Sequence, residues 1–297
     1  MEWFIYALLA PILWAGCNVL DKIILEKHIK NPISYQIVIS FFDIISIIIL
    51  LIIAPISTNI FGFFMGIIIG VIGVIAVIFY NKSIKDEEAS RVVPLGYISS
   101  IFVPILAYIF LGEILDFQKY LGIIFILIGG ILISFKKTIE KWHFSFAVKF
   151  MIISAFLWGV SSIIAKYVLN SIDYFSLTLW QFLGYIITVP LLLATSNSRE
   201  NFWGYLKNFN KKIFSLMIIN TIIYLIAILA FYFATSITDI SLVYAIASTQ
   251  PFFIFIYMLI ITKIAPSIVK EKIDKSSILF KIIAICLIFI GTLLIEF

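Results

Sequence analysis

The chain has 297 residues, of which 63% are hydrophobic and 12% charged, about half the charged share of soluble domains. That excess of apolar surface excludes an ordinary cytosolic enzyme, a secreted disulfide scaffold and a disordered chain, and makes a lipid bilayer the solvent for most of the molecule. The formal charge of +5 comes from 21 basic and 16 acidic residues. In such a chain it speaks of where the bases fall, not of a nucleic-acid partner.

About 20 apolar residues span a bilayer as a helix. On that ruler the chain divides into ten segments, roughly 3–25, 33–55, 60–81, 92–111, 118–135, 147–168, 174–195, 213–236, 241–262 and 278–296. Short polar or charged stretches separate them. The runs are continuous, not alternating, which excludes a β-barrel. The first segment has no cationic leader before its apolar run and is too long for a signal peptide, so it is expected to remain as a helix.

Segment one carries Trp14, Asn18 and Lys22 at i, i+4 and i+8, one helix face. An aromatic face beside an amide suits a solute with an apolar side and a polar head; the alternative for Lys22, and for Lys166 in segment six, is snorkelling to the headgroups. Segment two places Gln36, Ser40 and Asp43 at i, i+4 and i+7. A charge at the centre of a spanning helix costs about 2.5–3.5 kcal/mol on insertion scales and faces the bundle interior or a water cavity. Asp43 is therefore a candidate for proton coupling or for a substrate amine, the alternative being a structural acid that joins helices. Segment three lines up Gly62, Gly66, Gly70 and Gly73 for close helix contact. Segment four is interrupted by Pro94 and Pro104 and segment nine by Pro251, matching positions in the two halves. They are expected to be gates or static kinks, because proline frees a carbonyl that needs a partner. The acidic run Asp86-Glu87-Glu88 is expected to favour the helix N-terminus that follows it.

Segment six repeats the spacing of segment one with Trp158, Ser162 and Lys166. Segment seven carries Thr178, Gln181, Tyr185 and Thr188 in a polar stripe next to Trp180; segment eight offers Asn220 and Tyr224; segment nine offers Ser241, Tyr244 and Ser248, then Thr249-Gln250-Pro251. Such groups line a cavity or bond neighbouring helices.

The two halves repeat. Leu13-Trp14-Ala15 with Lys22 matches Leu157-Trp158-Gly159 with Lys166, and Phe79-Tyr80 matches Phe231-Tyr232. Five helices per half, over residues 1–138 and 139–297, invert the second half relative to the first, an arrangement expected of secondary transporters with a site between the halves. Alternate connections, with the adjoining helix ends, hold 19 of the 21 Lys and Arg; Lys119 and Lys166 fall on the other side. Basic loops stay inside, so both termini are expected outside.

Cys17 and Cys286 lie in apolar runs and are expected to be free thiols. His28 and His143 lack ligand-spaced partners, so no metal site and no cofactor is expected. A nucleotide-driven pump would need a Gly-x-x-x-x-Gly-Lys-Ser/Thr loop, which is missing.

Tyr80-Asn81-Lys82-Ser83-Ile84-Lys85, Glu88-Ala89-Ser90-Arg91-Val92-Val93-Pro94-Leu95, Leu111-Gly112-Glu113 and Gly129-Gly130-Ile131-Leu132 together resemble the EamA family of the drug/metabolite transporter superfamily. So do the Leu-Trp and Lys patterns of segments one and six, and the length. The resemblance implies a ten-helix inverted-repeat carrier of small metabolites, often moving them outward. It also implies both termini inside, against the charge count, and a structural Glu113. The second half departs from it, with Thr262-Lys263 in place of Gly-Glu.

The expectation is an all-α polytopic protein of the cytoplasmic membrane. It is not an enzyme. It carries a small amphiphilic solute such as an amino acid by alternating access, and is an exporter coupled to protons or solute exchange, working as a monomer or homodimer. The competing reading is a non-transporting membrane assembly or receptor-like protein.

Overall fold

The computed structural model describes residues 2–29, 31–86, 96, 98–134, 146–207, 210–264 and 275–296, and their regular structure is helical. The helices are α1 (Glu2–Lys27), α2 (Pro32–Ile53), α3 (Ile60–Asp86), α4 (Ser99–Leu111), α5 (Phe117–Ser134), α6 (Phe146–Val168), α7 (Tyr174–Leu192), α8 (Ser196–Lys207), α9 (Lys211–Ile237), α10 (Ile240–Ala247), α11 (Gln250–Ile264) and α12 (Lys275–Glu296).

Their ends are written locally. Asn31 starts α2 by accepting from the amides of Ile33 at 2.9 Å and Ser34 at 3.1 Å, with Pro32 in the first turn, where its missing N–H is no loss. Asp173 caps α7 through Ser176 N at 2.9 Å, and Asn210 caps α9 through Ile213 N at 3.1 Å. Gly112 ends α4 with φ of 70°, a left-handed conformation that glycine adopts without strain.

Seven helical stretches are long and apolar enough to cross a membrane: 2–25, 32–53, 60–83, 146–168, 174–192, 211–237 and 240–264; Ser99–Leu111, Phe117–Leu132 and Ile282–Ile295 are apolar but shorter. Ile52, Ile60, Ile114 and Ile264 are each more than 70% exposed, a surface that belongs in hydrocarbon.

Three features differ in detail from the sequence reading. The connection after segment seven contains α8. Its Ser198 and Phe202, at i and i+4, are buried while Trp203 is exposed, and Phe202 stacks on Phe41 of α2 at 5.8 Å. Segment nine is two helices with a turn at Ser248-Thr249, and Pro251 sits in the first turn of α11, where proline starts a helix. Helix α4 runs through Pro104 without a break. Pro94, Glu87, Glu88 and His143 lie outside the described residues.

The glycine face of α3 is where α7 crosses. A Cβ on Gly62 would meet Ile172 at 2.6 Å, one on Gly70 would sit on the Gln181 carbonyl and the Gly184 backbone, and one on Gly73 would meet Tyr185 at 3.2 Å. Backbones approach this closely only at small residues. A second such crossing joins α5 to α12, where a Cβ on Gly122 would lie 2.8 Å from the Gly291 carbonyl. The helix pairs form a pattern. Helix α1 packs on α9 as α6 packs on α3, α1 packs on α10 and α11 as α6 packs on α4, and α2 packs on α9 as α7 packs on α3. The pairs α2–α7, α4–α10 and α5–α12 map onto themselves under the same exchange.

Candidate functional site

Among the described residues, three groups of polar side chains mark the length of the bundle. The central group is built from α2, α7 and α9. The buried face of α2 carries Ser40, Asp43 and Ser46, the helical spacing expected of that face, with Gln36 bonding Ser40 at 3.4 Å. Gln181 of α7 links two tyrosines: its carbonyl oxygen accepts from Tyr232 Oη at 2.7 Å, and its amide donates to Tyr185 Oη at 2.5 Å. Tyr185 Oη lies 3.1 Å from Tyr224 Oη. This chain of four joins α7 to α9 inside an apolar shell, where each bond is strengthened by the low local dielectric. Asp43 is 4% exposed, lies within Coulombic reach of Tyr185 and Tyr224, and has no hydrogen-bond partner among the described residues.

A second group lies nearer the end of the bundle where α1 stops and α2 starts. Asp21 Oδ1 accepts from Asn220 Nδ2 at 2.6 Å and from the hydroxyl of Tyr35. Asn220 Nδ2 is also 3.1 Å from Tyr35 Oη, and Cys17 Sγ approaches the Asn220 carbonyl at 3.7 Å. Tyr80 of α3 lies within Coulombic reach of Asp21.

The third group is at the opposite end. Glu113 is buried and accepts from Ile240 N at 2.8 Å, Ser241 N at 3.2 Å and Ser241 Oγ at 2.7 Å. The two amides are orphan donors of the first turn of α10, where a carboxylate is also favoured by the helix dipole. Lys166 donates to Thr235 O at 2.7 Å in the last turn of α9 and to Thr238 O at 2.8 Å, its C-cap. A cavity of about 280 Å³ lies here, with Glu113, Lys166, Asn170 and Asp239 in its wall.

The structure brings Asp43, Gln181, Tyr185 and Tyr224 of the expected residues into one group and places Asn220 in the neighbouring one. Trp14 packs on Phe231 at 5.3 Å and Trp158 on Tyr80 at 5.8 Å, so the repeated tryptophans meet the repeated Phe-Tyr pairs. The indole N–H of Trp14 is buried without an acceptor among the described residues. Ser248 bonds Ser100 across the α4–α10 seam and donates to Tyr244 O at 2.9 Å, while Tyr244 packs on Phe231 at 6.3 Å. Ser162 donates into its own helix, to Trp158 O at 3.0 Å, and Asn18 is exposed. Cys17 is a buried free thiol and Cys286 an exposed one. Sequence reasoning missed Asp21, Tyr35 and Tyr232. The signal for Asp21 was available, since it stands seven residues after Trp14, on the same face.

An all-helical bundle with an apolar exterior and a hydrogen-bonded polar interior defines a multi-pass membrane protein. Residues 1–135 match the EamA-like transporter family, the family that the motifs between Tyr80 and Ser134 resemble. An uncharacterized transporter of Clostridium kluyveri is 30% identical over 138 residues, 43% of this chain and 42% of that protein. An uncharacterized transporter from a cobO 3' region of a Sinorhizobium species is 38% identical over 55 residues, 18% of this chain and 39% of that protein. The matches thus span under half the length of either relative. A crystal structure of another protein superposes on 100% of this chain and 98% of its own, with a TM-score of 0.75 at 12% identity, so the fold is shared across the whole chain.

Proposed function

We propose that the protein is a secondary carrier of small amphiphilic solutes, amino acids among them, in the cytoplasmic membrane. Ten crossing segments form two inverted units, residues 1–138 and 139–297, and the solute passes between them by alternating access. One observation carries this reading: the main helix pairings recur when the two sets of five are exchanged, and the buried Asp43, Gln181 and Tyr185, with the half-buried Tyr224, lie where α2 of one unit meets α7 and α9 of the other. Inverted repeats with a polar site at their interface are the architecture of alternating access. The family match over residues 1–135 supports the same reading.

Export coupled to protons or to solute exchange is the mode we favour, with Asp43 as the proton site. The unpartnered carboxyl can take up and release a proton without breaking a hydrogen bond among the described residues. The placement of 19 of 21 basic residues favours both termini outside, and a reporter fused after Phe297 tests this, cytoplasmic activity reversing the orientation. The carrier reading is tested by counterflow of pooled metabolites in proteoliposomes. At least one solute should exchange, and the pH dependence of its movement should be lost in Asp43→Asn. Absence of exchange for every solute under every gradient would overturn it in favour of a non-transporting assembly.

A further inference from the structure

Asp21 is the second carboxylate within a spanning helix, and its surroundings differ from those of Asp43. It sits six residues before the end of α1 at Lys27, about 9 Å inside the basic end of the bundle at 1.5 Å per residue. Asp43 is eleven residues into α2, about 17 Å deep by the same measure. Asp21 is half-buried while Tyr35 and Asn220 are buried, and Asn18 and Lys22 on the flanking turn are exposed. The carboxyl therefore stands on the way from the basic face to the centre.

Its hydrogen bonding is lopsided. Tyr35 and Asn220 both donate to Oδ1. Oδ2 has no partner among the described residues, and Asn220 Oδ1 is buried with none. The cluster has two acceptors to spare and lacks donors and positive charge. A carboxylate that served only to tie α1 to α9 would need one of these bonds. A substituted ammonium brings both missing items, several N–H donors and a charge. A divalent cation fits less well, because it asks for several oxygen ligands of which carboxylates are the core, and no group of three His, Cys, Asp or Glu occurs among the described residues. The aromatic rings of Tyr35, which donates to the carboxyl, and of Tyr80, which packs at a tilt on Trp158, give a cation an electron-rich flank.

The charge also breaks the internal symmetry. Lys22 corresponds to Lys166 in the repeat, so Asp21 corresponds to Ala165, which is fully buried. The scaffold needs no acid at that position, since its other half does without one.

We infer that the Asp21 carboxylate, held by Tyr35 and Asn220, is a binding site for the ammonium group of an organic amine reached from the basic-loop side. The inference rests on the carrier reading for the passage of the amine, not for its binding. Its test is titration calorimetry of the full-length protein with phenethylammonium and with 2-phenylethanol, which has a similar shape and no charge. Wild type should bind the ammonium about tenfold more tightly, as for one charge-assisted contact, and Asp21→Asn, of nearly the same size, should bind the two alike. Tyr35→Phe keeps the charge and should keep the preference. If Asp21→Asn is not recovered folded, Asp21→Glu, with the charge displaced by one methylene, should lose at least threefold of the preference with 2-phenylethanol binding unchanged. No preference in wild type, or the full preference in Asp21→Asn with only its melting temperature lowered, overturns the site. Asp21-dependent binding of phenethylammonium without its movement in proteoliposomes would leave the site standing and overturn the passage of the amine, while the carrier reading itself stands or falls with the counterflow of pooled metabolites.

Discussion

Glu113 accepts the hydroxyl hydrogen of Ser241 at 2.7 Å across 128 positions of the chain, and through the amides of Ile240 and Ser241 it serves as the N-cap of α10. Asp239, the residue in the cap position itself, makes no side-chain bond there. A helix of the first half thus ends in the group that starts a helix of the second. Glu113→Ala strands three buried donors and should destabilise the protein by about 2–3 kcal/mol, whereas Ser241→Ala, which removes one bond, should cost about 1 kcal/mol. Melting of the purified protein in detergent checks the order; equal effects would mean that Glu113 acts otherwise than as a cap.

Lys166 is the complement of that cap. Its ammonium closes the last turn of α9 at Thr235 and Thr238, immediately before the α10 start that Glu113 holds. Lys166→Met keeps the stem and removes the charge, and should cost about 1–2 kcal/mol by leaving two terminal carbonyls without a cationic donor. Hydrogen exchange at the α9–α10 corner should rise in both Lys166→Met and Glu113→Ala. Unchanged exchange in Lys166→Met would return this lysine to a headgroup-seeking role.

Much of this bundle was legible because its forces are local. Apolar length marked the spanning segments, and helical spacing put Gln36, Ser40 and Asp43 on one face and Gln181 with Tyr185 on another. The matched Trp14 and Trp158 led to matched rings, Phe231 and Tyr80. What escaped was tertiary or masked by a stronger pattern. Lys22 fits the repeat and drew notice from its neighbour Asp21, whose partners Tyr35 and Asn220 lie on two other helices. The role of Glu113 depends on a helix start far along the chain, which no local spacing encodes. Helix α8 is too polar to look like a span, and its Ser198 and Phe202 face shows only once α2 provides a surface for it.

The α3–α7 crossing sets a limit on volume. A methyl group on Gly70 or Gly184 would collide with backbone of the facing helix, which cannot swing aside as a side chain can. Gly70→Ala and Gly184→Ala should each cost about 1–3 kcal/mol by overpacking. Gly204 of α8 is exposed and a Cβ there meets nothing within 4 Å, so Gly204→Ala should gain about 0.5–1 kcal/mol from the helix backbone. Melting temperatures moving in opposite directions for Gly70→Ala and Gly204→Ala are the expected result; a loss of the same size in both would refute close crossing as the cause.

Gln181 uses both ends of its amide, accepting from Tyr232 and donating to Tyr185. Gln181→Leu leaves two buried hydroxyls without that partner and should cost about 2–4 kcal/mol. Tyr232→Phe removes only one donor, which its acceptor can better tolerate, and should cost about 1 kcal/mol. Because the two changes share a bond, the double variant should be more stable than the sum of the single losses by about 0.5–2 kcal/mol. Denaturation of the four proteins in one detergent closes the cycle. Strict additivity would mean that Gln181 and Tyr232 do not hold one another, and the chain of four that joins α7 to α9 would have to be divided at that bond.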